Sequence, residues 1–212
     1  MRYRCGIFDL DGVLVDTAKY HYLAWKDLAG RLGFEFTVEQ NEALKGISRM
    51  DSLEVLLQLG GMGEKFGQEE KLLMAEEKNR LYLSYIERLE TSELLPGVTE
   101  LFGRMKSQGV KIALGSASKN AGVILDRLQI RSYFDVIVDG NLVTKAKPDP
   151  EVFALGADRL GIPYGECVVF EDSVAGLMAA RKLGMLAVGI GTRENLPQAD
   201  VICGTVGEYC GF

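Results

Sequence analysis

Two carboxylates, Asp9 and Asp11, stand two residues apart where the apolar run Cys5-Gly6-Ile7-Phe8 breaks into a turn at Gly12. Alternation along a strand sends residues two apart to the same side, so this spacing sets a nucleophile beside an acid/base. Other apolar runs also end in polar groups: Ser116, Lys147 in the loop after Asp139, and the pair Glu171-Asp172. A phosphoryl dianion repels an attacking carboxylate unless its charge is first neutralised, and these residues divide that labour. Asp9, Glu171 and Asp172 offer hard oxygen ligands suited to Mg²⁺, while Lys147 and the Ser116 hydroxyl can hold the remaining phosphoryl oxygens. The chemistry they fit is attack by Asp9 on a phosphoryl group, giving a phosphoaspartyl intermediate.

Such a constellation needs a fold that brings distant residues to one edge. The pattern predicts a strand over 4–8, then a helix over 17–32 with His21, Trp25, Leu28 and Leu32 at i, i+4, i+7 and i+11 and Gly33 as its stop. Helical segments follow at 38–44, 49–59 and 68–89, the last with Leu72, Ala75, Asn79, Tyr82, Ile86 and Leu89 as its stripe. After Leu95-Pro96-Gly97 strand and helix alternate: helices at 98–107, 120–128, 151–160 and 174–183, and strands at 110–114, 136–138, 167–170, 186–190 and 201–203. Near-continuous apolar strands of this kind predict an α/β fold, a doubly wound parallel sheet with a Rossmann-like core and an inserted all-helical cap domain. Residues 1–15 and 95–212 are expected to form the core and 16–94 the cap, joined by two short crossings that would make a hinge. In such a sheet ligands bind at the carboxyl ends of the strands, where the polar groups stand. The last nine residues, 204–212, hold three glycines, are too short for a closing helix, and are expected to leave a sheet face less covered.

The 212 residues are 47% hydrophobic and 25% charged, the balance of a globular protein, and the net charge of -6 argues against a nucleic-acid partner. The first apolar run is cut at Asp9, so neither a signal peptide nor a membrane span is expected; a cytoplasmic monomer is the default. Cys5, Cys167 and Cys203 sit in apolar runs without CxxC spacing and read as buried thiols, leaving Cys210 as the exposed one.

Each motif also has a plainer use. Asp9 and Asp11 could simply form a turn, Glu171-Asp172 could cap the helix at 174–183, and Lys145 competes with Lys147. Asp9-Leu10-Asp11-Gly12, Ser116, Lys147-Pro148 and Glu171-Asp172, in that order and at these separations, resemble the four signature motifs of the haloacid dehalogenase superfamily. The insert narrows the likeness: 16–21, 24–26, 44–53 and 113–120 resemble the β-phosphoglucomutase branch, so the resemblance covers nearly the whole chain.

That resemblance implies an enzyme acting on hexose phosphates and a hexose bisphosphate, interconverting β-glucose 1-phosphate and glucose 6-phosphate through β-glucose 1,6-bisphosphate. Asp9 would be the phosphorylated nucleophile, Asp11 the general acid/base, and Ser116 and Lys147 the holders of the transferring group. Mg²⁺ would sit on Asp9, the Asp11 carbonyl, Glu171 and Asp172. Arg49, Ser118, Lys119 and Asn120 match a second phosphate site, and Lys45, Gly46, Ser52 and Lys78 further substrate contacts. Thr17 and His21 would couple Asp11 to the cap, although a lone histidine on the Trp25 stripe also suits a core, and Lys78 beside Glu76 and Glu77 also suits solvent. A sugar-phosphate phosphatase with the same core and a non-catalytic sugar-phosphate sensor are the alternatives.

Overall fold

The computed structural model describes residues 3–44 and 47–212. The chain divides into two compact units, Met1–Asp16 with Glu90–Phe212, and Thr17–Leu89. It opens with strand β1 (Cys5–Phe8) and then enters the helical unit: α1 (Ala18–Leu32), α2 (Val38–Glu42), α3 (Arg49–Leu59) and α4 (Gln68–Ile86). Returning to the first unit it forms α5 (Val98–Ser107), β2 (Lys111–Gly115), α6 (Ala121–Arg127), β3 (Val136–Val138), α7 (Glu151–Leu160), β4 (Cys167–Glu171), α8 (Val174–Lys182), β5 (Leu186–Ile190) and β6 (Val201–Cys203).

The six strands make one parallel sheet in the order β3-β2-β1-β4-β5-β6. Every residue of β1 and β4 is buried, as the near-continuous apolar runs require of strands covered on both faces. Cys5, Ile7, Cys167 and Val169 join one core cluster with Phe153 and Ala157 of α7 and Leu177 and Ala180 of α8. The opposite face is aromatic: Phe8 stacks on Phe170 at 4.5 Å and meets Phe102 of α5 edge-on at 5.0 Å.

The tail departs from expectation. It forms no closing helix beyond one 3₁₀ turn (Val206–Glu208), yet it covers the aromatic face: Tyr209 is 6% exposed and stands edge-on to Phe170 at 5.1 Å, with Phe212 against both. Arg104 donates to the Tyr209 carbonyl at 2.8 Å and fastens the segment to α5. Large rings carry much apolar area each, so a segment without a helix can cover this face.

In the helical unit Trp25, Leu28, Phe36, Leu53, Leu56, Leu57 and Ala75 form the core. The buried side of α4 runs Ala75, Lys78, Tyr82, Ile86, while Leu72 is 46% exposed, so the expected stripe is rotated. On that inward face the Lys78 ammonium lies over the Trp25 and Tyr82 rings. Two of its helices are entered through side-chain caps that the sequence supplies: Thr37 and Gln40 form a capping box on α2, and Ser48 Oγ accepts the Asp51 N–H on α3 at 3.2 Å.

One position invites improvement. Beyond α6 the chain turns through Gln129 at φ 58°, where a side chain crowds the backbone. Gln129→Gly is expected to raise stability by about 0.5–1 kcal/mol, read as a higher denaturant midpoint with an unchanged slope.

Candidate active site

Strands β1 and β4 run in register, with Phe8 opposite Phe170, and the Asp9 N–H donates to the Phe170 carbonyl at 3.0 Å. The next residue on each strand is an acid, so Asp9 and Glu171 reach the carboxyl edge at the same level. That edge is where the strand order switches from β2 and β3 on one side of β1 to β4, β5 and β6 on the other, the usual ligand position in an open parallel sheet.

Lys147 joins them from the loop after β3. Its Nζ lies 2.6 Å from Asp9 Oδ1 and 2.8 Å from Glu171 Oε2, with the side chain 2% exposed. Lys145 instead lies at the surface, 3.6 Å from Asp149, so the structure decides between the two lysines. Burial opposes the charge on Lys147, but the two carboxylates outweigh it and hold the ammonium pKa above its ordinary value. Burial likewise pushes the Asp9 carboxyl well above the usual carboxylate range; Lys147 opposes this, while Glu171, Asp11 and Asp172 add to it.

The plainer use of Glu171-Asp172 as a helix cap falls to Ser173. Its Oγ accepts the Gly176 N–H at 3.1 Å, and its own N–H and hydroxyl donate to Glu171 Oε1 at 3.1 and 2.7 Å. Ser173 therefore caps α8 and orients Glu171 together. Only the capping half of that role is legible from a serine ahead of a helix; the other half depends on the rotamer of Glu171. Asp172 lies over the turn after Asp11, where a Cβ at Gly12 would come 2.0 Å from Asp172 Oδ2 and where φ is +80°. Glycine is required there on both counts. The same turn holds Asp11: Gly12 N–H donates to Val15 at 2.8 Å, Leu14 N–H to Leu10 at 2.9 Å, and Asp11 bridges to Val15.

Ser116 follows β2, 1% exposed, and its Oγ accepts the Ser118 N–H at 3.1 Å. Ser118 Oγ in turn accepts the Asn120 N–H at 3.3 Å, which shapes the loop before α6. Lys119 is exposed there, with its carbonyl accepting the Asn141 side-chain amide at 3.0 Å. In the core unit the closest grouping is thus Asp9, Lys147, Glu171 and Asp172. The cavity bounded by Tyr3, Arg4, Gln108, Lys111 and Ile162 lies at the amino ends of the strands, away from this chemistry, with Arg4 and Lys111 already paired to Glu166 and Asp135.

In the helical unit Lys78 is 2% exposed rather than solvated. Its Nζ lies 2.8 Å from His21 Nδ1 and over the Trp25 and Tyr82 rings at 4.4 and 5.0 Å from their centroids. An ammonium can only donate, so with Lys78 as donor Nδ1 accepts and the ring proton resides on Nε2. Burial, with the Lys78 and Arg49 charges behind it, pushes the His21 pKa well below its ordinary value and keeps the ring neutral. Thr17 is fully buried and its carbonyl accepts the His21 N–H at 3.0 Å. Arg49 is half-buried at the start of α3, and Ser52 is buried with its hydroxyl donating to the Ser48 carbonyl at 2.9 Å. Lys45 and Gly46 lie outside the described residues.

One oxygen from each of Asp9, Glu171 and Asp172 falls within 4.8 Å of the others. The three carboxylates outnumber the Lys147 ammonium, which pairs with Asp9 and Glu171, and all the donors are hard oxygens, so the group fits a divalent cation. No helix among the described residues is long and apolar enough to cross a membrane.

The chain is similar to known proteins. Residues 3–184 match the haloacid dehalogenase-like hydrolases. The chain is 43% identical to the β-phosphoglucomutase of Bacillus subtilis over 92% of its own length and 87% of that protein. It is 32% identical to the fructose-1-phosphate phosphatase of Escherichia coli, covering 89% of this chain and 97% of that one. Its fold superposes on the crystal structure of a β-phosphoglucomutase from Clostridium difficile with a TM-score of 0.94 at 42% identity, over 99% of this chain and 94% of that one. With its acids at the switch of a parallel sheet and these relatives along nearly its whole length, the chain is an enzyme that belongs to the haloacid dehalogenase-like hydrolase family.

Proposed function

We propose that the protein is a phosphosugar mutase, interconverting β-glucose 1-phosphate and glucose 6-phosphate through a phosphorylated Asp9 and a β-glucose 1,6-bisphosphate. The observation that carries this reading is the likeness to the B. subtilis β-phosphoglucomutase, which extends across both the core and the helical insert. The Asp9 carboxylate attacks phosphorus, the bond from phosphorus to the sugar oxygen breaks, and Asp11 delivers a proton to that oxygen. In the second half a sugar hydroxyl attacks the phosphorus on Asp9, the bond from phosphorus to the Asp9 oxygen breaks, and Asp11 takes the proton of that hydroxyl. Lys147 and Ser116 hold the transferring group. A divalent cation, Mg²⁺ by its donor set, would be held by Asp9, the Asp11 carbonyl, Glu171 and Asp172, and when bound it offsets charge on the phosphoryl oxygens.

A mutase must also hold a phosphate that does not react. By the same likeness that task falls to Arg49, Ser118, Lys119 and Asn120, with Lys45, Gly46, Ser52 and Lys78 as sugar contacts and Thr17 and His21 as partners of Asp11. The enzyme works as a cytoplasmic monomer, 17–89 serving as its cap.

The identity to the E. coli fructose-1-phosphate phosphatase favours a second reading, in which water accepts the phosphoryl group from Asp9. One incubation separates the two: protein, Mg²⁺, β-glucose 1-phosphate and a trace of the bisphosphate. Glucose 6-phosphate is the expected product; free phosphate released in equal amount to substrate consumed overturns the mutase.

A further inference from the structure

The loop between β3 and α7 carries Lys147 through an exposed stretch, since Thr144, Lys145, Ala146 and Pro148 all face solvent. Its ammonium nonetheless meets Asp9 and Glu171 at 2.6 and 2.8 Å. Little burial is available to hold such a segment, so its hydrogen bonds must. Ahead of the lysine they converge on Glu151, the first residue of α7: Oε2 accepts the Lys145 N–H at 2.7 Å and the Thr144 N–H at 2.9 Å, and the Thr144 hydroxyl lies 3.2 Å from both oxygens. Beyond it, Lys182 at the end of α8 donates to the Pro148 carbonyl at 2.7 Å. Between them Asp149 N–H donates to Ala146, and Asp149 Oδ1 accepts the Glu151 N–H at 3.1 Å. The backbone on each side of Lys147 is thus fastened to a helix that is itself packed on the sheet. The N–H bonds from Lys145 and Thr144 hold the Glu151 carboxyl below its ordinary pKa, and the amino end of α7 favours the same charge.

We propose that Glu151 is a positioning residue for phosphoryl transfer, its carboxylate clamping the 144–145 backbone and so setting where the Lys147 ammonium meets Asp9 and Glu171. This rests on the part in phosphoryl transfer given to Lys147 above. A carboxylate that merely stabilised the start of α7 would act on folding alike whether or not Lys147 is present. A clamp acts only through the lysine.

The test is a cycle of Glu151→Ala, Lys147→Ala and the double variant, following consumption of β-glucose 1-phosphate with Mg²⁺ and the thermal denaturation of each protein. Glu151→Ala is expected to lower kcat about tenfold or more with KM little changed, because small displacements of a catalytic group are that costly. In the Lys147→Ala background the same substitution is expected to change turnover by no more than about twofold. Glu151→Gln, which keeps one acceptor oxygen, is expected to recover part of the loss, and the cycle is read on it by the same criteria if Glu151→Ala does not fold. Equal losses in both backgrounds, or wild-type kcat in folded Glu151→Ala, overturn the proposal. Wild-type turnover in Lys147→Ala alone is a different result: it overturns the role given to the lysine.

Discussion

Asp9→Asn is expected to lose on the order of 10⁴-fold or more in turnover while remaining folded, because a neutral amide oxygen cannot form the phosphoaspartyl bond. The amide is nearly the same shape, and its oxygen can still accept from Lys147 Nζ, which lies 2.6 Å from Oδ1 in the parent. Stability gives the substitution a second signature. Burial raises the folded pKa of Asp9, so ionising it disfavours the folded state as pH rises through the carboxylate range. Without added divalent cation, Asp9→Asn removes that cost together with one of the negative charges gathered around Lys147. Its melting temperature in a chelator at neutral pH is therefore expected to be no lower than the parent's. Turnover within tenfold of the parent would remove Asp9 from the chemistry altogether.

The second large effect is at Asp11. Asp11→Ala is expected to cost about 10²- to 10⁴-fold with β-glucose 1-phosphate, the usual worth of a general acid/base. The turn bonds from Gly12 to Val15 and from Leu14 to Leu10 are all backbone, so alanine leaves the turn and the Asp11 carbonyl in place. This separates proton transfer from cation holding. A donor such as acetyl phosphate, whose leaving group needs no proton, is expected to phosphorylate Asp9 in the variant at nearly the parent rate. Equal loss with both donors would show that Asp11 serves the site in some way other than proton transfer.

The strands and most helices were legible in the sequence to within a few residues, because a strand buried on both faces needs an unbroken apolar run and an exposed helix does not. The acids could be placed at strand ends for the same reason, since each follows such a run directly. Lys147 was harder: Lys145 and Lys147 both sit in an exposed loop, and the path of that loop, pinned at Glu151 and Lys182, decides which lysine reaches Asp9. Lys78, for which the neighbouring Glu76 and Glu77 left solvent as the alternative to a substrate contact, is buried against Trp25, Tyr82 and His21, and no local pattern records rings brought by another helix. The tail misled for a related cause, its coverage depending on Tyr209 and Phe212 meeting Phe170.

By itself the sequence determined the elements, their alternation and the residue types at the strand ends, because these follow from periodicity and side-chain chemistry within a few neighbours. Only the tertiary structure decided that Asp9 and Lys147, 138 residues apart, form a hydrogen bond, and that Asp9 and Glu171 leave the sheet side by side. Strand order and register set those distances, and both are fixed by contacts between segments far apart in the chain.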